Sequence, residues 1–141
     1  MRLAVDTNLA VSALLWRGTP HLLLATIDDY PVEFYTSRVL LDELADVLPR
    51  KKLARAVLAT GETLAELLHG YQHLAHVVRP RRVPSVVRDV DDDHVVACAV
   101  TARADYLVTG DRDLLVLSHH RKIKIVTARR ALELVTHQAT Q

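Results

Sequence analysis

The chain has 141 residues, half of them hydrophobic and a quarter charged, which suits one globular domain with a real core and excludes a disordered chain. A net charge of +1 excludes whole-molecule attraction to nucleic acid, so any such binding has to use a local patch. The single cysteine, Cys98, excludes an internal disulfide and suits a reducing cytoplasm.

No basic-then-apolar leader opens the chain, and no apolar run approaches the ~18 residues of a membrane span. The expectation is one cytoplasmic domain over 1–141 with no membrane attachment.

Leu3-Ala4-Val5 reads as a strand covered on both faces, running straight into Asp6-Thr7. In open α/β sheets chemistry gathers beyond the carboxyl ends of strands, which makes Asp6 the first candidate site residue. Asn8 is expected to cap a helix starting at Leu9 and closing near Trp16 and Gly18. Thr19 as N-cap and Pro20 at the first helical position open a second helix, to about residue 28.

Residues 32–36 alternate and are rich in β-branched and aromatic side chains, so they form the second strand. Ser37 caps the next helix, whose buried stripe is Leu40, Leu44, Val47 and Leu48. Asp42 and Asp46 lie off that stripe. Glu43 borders it, and a carboxylate aimed inward needs a partner charge, a proton or a metal. An arginine from the basic loop further along the chain is the alternative partner.

Residues 50–76 read as an inserted α-hairpin, broken near Thr60-Gly61, with Leu64, Leu67, Leu68, Tyr71 and Leu74 on one side. Val77-Val78 is a short strand stopped by Pro80. Arg79, Arg81, Arg82 and Arg88 follow in a loop, either as a solvated charge run or as a rim that guides phosphates. The acidic run 89–93 precedes a helix over 95–103, whose apolar start marks it as central and buried. Residues 106–109 form the fourth strand, followed by Gly110-Asp111-Arg112-Asp113, where Asp113 is expected to cap a short turn at Leu114. Ile123 and Ile125 alternate with lysines in the fifth strand, and Thr127 caps the last helix. Strands alternating with helices predict the α/β class, a parallel sheet between helical layers.

Asp6, Glu43, Asp93 and Asp111 thus stand near strand ends or in the helices that follow them. Close carboxylates raise one another's pKa unless a cation compensates. Oxygen donors without Cys or paired His suit Mg²⁺ or Mn²⁺, and such a site favours phosphodiester hydrolysis. His94 has no second His or Cys at ligand spacing, which argues against zinc. A lone Asp at a strand end more often accepts backbone N–H bonds, and an acidic run suits any helix N-terminus; the combination of four acids is the signal.

Asp6-Thr7-Asn8 after a strand, Glu43 in the helix after the second strand, Asp93 before Val95-Val96-Ala97, and the run from Val108 to Asp113 together resemble the PIN-domain ribonucleases. Within that family the chain is most similar to the VapC-like toxins of prokaryotic toxin–antitoxin systems. The resemblance covers nearly the whole chain. It implies a three-layer α/β/α sandwich with a parallel five-stranded sheet of order 3-2-1-4-5. It also implies a Mg²⁺- or Mn²⁺-dependent endoribonuclease, an RNA substrate, a homodimer and a small cognate antitoxin.

The same resemblance makes Asp6, Asp93 and Asp111 metal ligands and Glu43 a further catalytic acid. Thr7, Asn8, Thr109 and Asp113 become residues that orient the acids or water, and Arg112 joins Arg79, Arg81, Arg82 and Arg88 as an RNA contact. Val90 departs from the family pattern, where many relatives have Pro. The run Asp91-Asp92-Asp93 leaves Asp92 as the alternative third ligand, Asp93 being chosen because it stands three residues before Val96.

Two other functions compete: a catalytically inactive PIN-like RNA-binding or interaction module, and a phosphoryl-transfer signalling domain. A phosphatase of the latter kind wants a second Asp where this chain has Asn8. It also wants a late lysine at a strand end, whereas Lys122 and Lys124 precede or lie within the last strand.

Overall fold

A computed structural model describes residues 1–81 and 90–138. Its strands are β1 (Arg2–Val5), β2 (Glu33–Ser37), β3 (His76–Val78), β4 (Tyr106–Val108), β5 (His119–His120) and β6 (Ile123–Val126). They form one sheet in the order β3-β2-β1-β4-β6-β5. The first five in that row pair in parallel, with Ala4 opposite Tyr35 on one side and Leu107 on the other. The parallel part therefore has the order expected from the resemblance.

The sheet has a sixth strand that was not foreseen. β5 is antiparallel to β6, with His120 opposite Ile123. Two histidines carry no apolar alternation, so no strand signal exists there; the pairing follows from the tight turn at Arg121-Lys122.

Among the described residues eight α-helices connect and cover the sheet: α1 (Thr7–Leu15), α2 (Thr19–Ala25), α3 (Arg38–Val47), α4 (Ala54–Ala59), α5 (Leu64–Leu74), α6 (Val90–Thr101), α7 (Arg112–Leu117) and α8 (Ala128–Gln138). Alternation along the strands splits the core in two. Leu3, Val5 and Phe34 face a cluster with α1, α2, α5, α8 and Leu41 and Leu44 of α3. Ala4, Tyr35 and Leu107 face the opposite cluster, built on α6 with Leu114 of α7. This is the three-layer α/β/α arrangement. Phe34 and Leu44 are wholly buried, each contributing roughly 1.5–3 kcal/mol by removal from water.

Helix starts follow side-chain chemistry. Ser37 Oγ accepts from the Leu40 amide, and Thr63 and Glu66 form a reciprocal capping box. Thr127 Oγ1 accepts from the Arg130 amide. Three expectations are corrected. Asn8 does not cap α1; Asp6 does, because the strand passes into the helix with no intervening loop. Gly18, not Thr19, occupies the N-cap of α2. α6 starts at Val90 instead of Val95, so positions 91–93 of the acidic run fall inside the helix. Among the described residues no helix is long and apolar enough to cross a membrane.

Candidate active site

The strand order explains where a site forms. From β1 the chain moves outward through β2 and β3, then crosses to β4 on the other side of β1. Between β1 and β4 the direction reverses, and a crevice opens at the carboxyl ends of these two strands. Asp6 follows β1 there and Thr109-Gly110-Asp111 follows β4.

Asp6 is held from three directions. Its amide donates to Val108 O at 3.2 Å, tying it to β4. Its Oδ1 accepts from the Leu9 amide at 2.9 Å as the N-cap of α1. Its Oδ2 accepts a short hydrogen bond from the Thr109 hydroxyl. That hydroxyl also accepts from the Asp111 amide at 3.0 Å, so one buried threonine links the two acids. Asp111 Oδ1 accepts from the Asp113 and Leu114 amides and caps α7. Asp113 is therefore not the cap it was expected to be. The turn is tight enough that Asp111 fills that role, and Asp113 supplies only its amide.

Asp6 is 8% exposed. Burial pushes its carboxyl above the usual 3.8, and the negative charge of Asp111 adds to the rise; hydrogen bonds from Thr109, Leu9 and Gly110 work against it. An acid that is buried, beside another acid, and still amply hydrogen-bonded is poised for a cation. A cleft of about 450 Å³ opens above it, lined by Asp6, Asn8, Ser12, Gly110, Asp111 and Arg112 among others. Ser12 was missed in the sequence. It lies four residues after Asn8 on the same face of α1, a spacing that identifies it once the helix is known.

Glu43 is half-buried on α3, and its Oε2 accepts from the Thr7 hydroxyl at 2.8 Å. Thr7 is the residue after Asp6, so this bond ties α3 to the start of α1. Asp93 is 6% exposed in the first turn of α6 and is not among the residues lining the cleft. Arg79 lines a second groove of about 460 Å³ with Ser37, Arg38 and Gln72, also at the carboxyl side of the sheet. Arg81 is exposed. Arg82 and Arg88 and the side chain of Asp92 lie outside the described residues.

Among the described residues no three Asp, Glu, His or Cys side chains stand together as a ready metal cage. The donor set nevertheless fits a small hard cation. Mg²⁺ is commonly held by one or two carboxylates, with water and substrate phosphate completing its shell, and Asp6 with Asp111 supplies that pair.

A family model described as PIN domain matches residues 2–113. No curated protein sequence matches the chain. Among solved structures, a chain from the crystal structure of VapBC2 from Rickettsia felis bound to a DNA fragment from their promoter has a TM-score of 0.61 and 14% identity, covering 90% of this chain and 98% of that one. Identity this low is a likeness of fold, and the fold agrees with the sheet order and layers described above. With the family match spanning most of its length and both carboxylates at the sheet's switch point, the chain belongs to the PIN domain family.

Proposed function

We propose that this protein is a metal-dependent endoribonuclease and the toxin of a toxin–antitoxin pair. The observation that carries the reading is the Asp6–Thr109–Asp111 linkage at the carboxyl edge of β1 and β4. The PIN domain match and the fold likeness to VapBC2 support it.

In this reading Asp6 and Asp111, with Asp93 as a third candidate, hold Mg²⁺ or Mn²⁺. The ion, when bound, lowers the pKa of a water and offsets charge developing on the phosphate. The chain's own residues do the rest. Thr109 holds the Asp6 carboxylate and the Asp111 backbone in fixed register. Thr7 fixes the Glu43 carboxylate, which orients the attacking water and takes its proton. Asn8 and Ser12 face the substrate across the cleft, and Arg112, Arg79 and Arg81 draw phosphates towards it. In-line attack on phosphorus breaks the P–O3′ bond and leaves a 5′-phosphate and a 3′-hydroxyl. Exposed apolar side chains, Trp16, Leu22, Leu58 and Val116, offer surface to a second copy and to a small antitoxin.

The test is cleavage of labelled single-stranded RNA in Mg²⁺, Mn²⁺ or EDTA, with wild type beside Asp6→Asn. Cleavage that needs the metal and disappears in the variant is expected. Equal cleavage by a clean preparation of the variant refutes the assignment. A second reading, a PIN-like module that binds RNA without cutting it, is favoured by the absence of a three-ligand cluster among the described residues. It predicts RNA binding without products in either metal.

A further inference from the structure

We propose that a basic pocket at the amino-terminal ends of β4 and β6 binds a nucleoside diphosphate, with its phosphates on four cations and its base on the apolar floor. The pocket holds about 660 Å³, within the range of small-ligand sites. It lies at the opposite edge of the sheet from Asp6 and Asp111, and the inference does not rest on the proposed nuclease activity.

Arg103, Arg121, Lys122 and Lys124 line it. None of them pairs with a carboxylate among the described residues. The acid in the wall, Asp105, has Oδ2 taken by the Arg2 amide at 2.7 Å. The wall thus carries an excess of three positive charges, close to the roughly three negative charges that two linked phosphates bear at neutral pH. Val100, Ala104, Tyr106 and Ile123 form the floor. Inorganic phosphate alone would leave that floor wet; a flat base covers it and stacks beneath an arginine plane.

The backbone supplies an independent observation. Arg103 and Arg121 both have left-handed φ, 52° and 54°. Arg103 is the C′ residue of a Schellman motif ending α6: its amide bonds Val100 O at 3.1 Å, and the Ala104 amide bonds Ala99 O at 2.9 Å. Arg121 is the first residue of the two-residue turn between β5 and β6. Glycine is the economical choice at both positions. Two arginines occupy strained backbone on either side of one pocket, and strain of this kind collects at ligand sites.

Calorimetric titration of the full chain with ADP, in EDTA to remove any metal-bridged route to the acidic cleft, tests the inference. Pyrophosphate and adenosine are the other arms. ADP is expected to bind in the micromolar range, at least tenfold tighter than either fragment. Arg121→Gly relieves the backbone, so it should keep or raise Tm while weakening ADP at least tenfold, and Lys124→Glu should weaken it similarly. The inference is overturned if pyrophosphate binds as tightly as ADP, which marks a plain charge patch, or if both variants bind like wild type. It is also overturned if a single-stranded RNA oligomer binds through these cations and ADP fails to displace it.

Discussion

Asp6→Asn should stabilise the protein in metal-free buffer at neutral pH, whereas Asp6→Ala should destabilise it. Asp6 does two structural jobs, capping α1 through Leu9 and accepting from the buried Thr109 hydroxyl, while its charge opposes folding. Asn keeps a cap oxygen for Leu9. Its amide donates to Thr109, whose hydroxyl proton loses the carboxylate acceptor in both variants. Ala additionally loses the cap, about 1 kcal/mol, and the remaining bond to Thr109, about 1 kcal/mol more. The two variants should therefore differ by about 2 kcal/mol, or roughly 5–10 °C in Tm for a domain of this size.

The pH dependence has a definite sign. The folded carboxyl titrates above 3.8, so folded protein binds the proton more tightly than unfolded protein does. The contribution of Asp6 to stability is then greatest below 3.8 and falls as pH rises through the folded pKa. Asp6→Asn lacks that fall. Its advantage should open between acid and neutral pH and narrow again when Mg²⁺ is added. Urea melts across this range, with and without Mg²⁺, measure it. A variant less stable than wild type at pH 7, or a difference indifferent to pH, refutes the picture of Asp6 as a charge held against its environment.

Other consequences can be checked alongside. Thr109→Val removes the link between the two acids; it should cost about 1–3 kcal/mol in chemical denaturation and at least a hundredfold in RNA cleavage, with Thr109→Ser recovering most of both. Thr7→Val releases the hydroxyl from Glu43 and should lower kcat about tenfold with KM little changed, while Thr7→Ser stays near wild type. Leu44→Ala opens a void under the sheet and should cost roughly 2–5 kcal/mol. Burial pushes the Cys98 thiol up to about 12, so thiol reagents should leave the native protein untouched and label it only after unfolding.

The strands and most helices were legible because both periodicities are strong here: Leu3, Val5 and Phe34 against Ala4 and Tyr35 in the strands, Leu40 and Leu44 in α3. What escaped was short or junctional. Asp6 and Asn8 are both good caps, and only the absence of a loop after β1 decides between them. The same ambiguity between Asp111 and Asp113 was resolved by which carboxylate meets the free amides of α7. The acidic run at the head of α6 satisfies a helix start equally well from outside or inside the first turn. Thr7 and Glu43 lie 36 residues apart, and their bond depends on how α1 and α3 pack, which no local pattern encodes. The pocket at the other sheet edge drew no notice in the sequence, since its cations are scattered over three elements.

Among the described residues the sheet's two outermost strands are stubs, three residues in β3 and two in β5. A rim that short offers a neighbouring polypeptide almost no backbone to zip onto. Pro80 and exposed Arg79 beyond β3, and Arg121 and Lys122 beyond β5, further discourage an intruding strand. Copies of this protein that crowd together during synthesis should consequently meet through side chains on helical surfaces, and stay clear of the runaway stacking that unguarded flat rims invite.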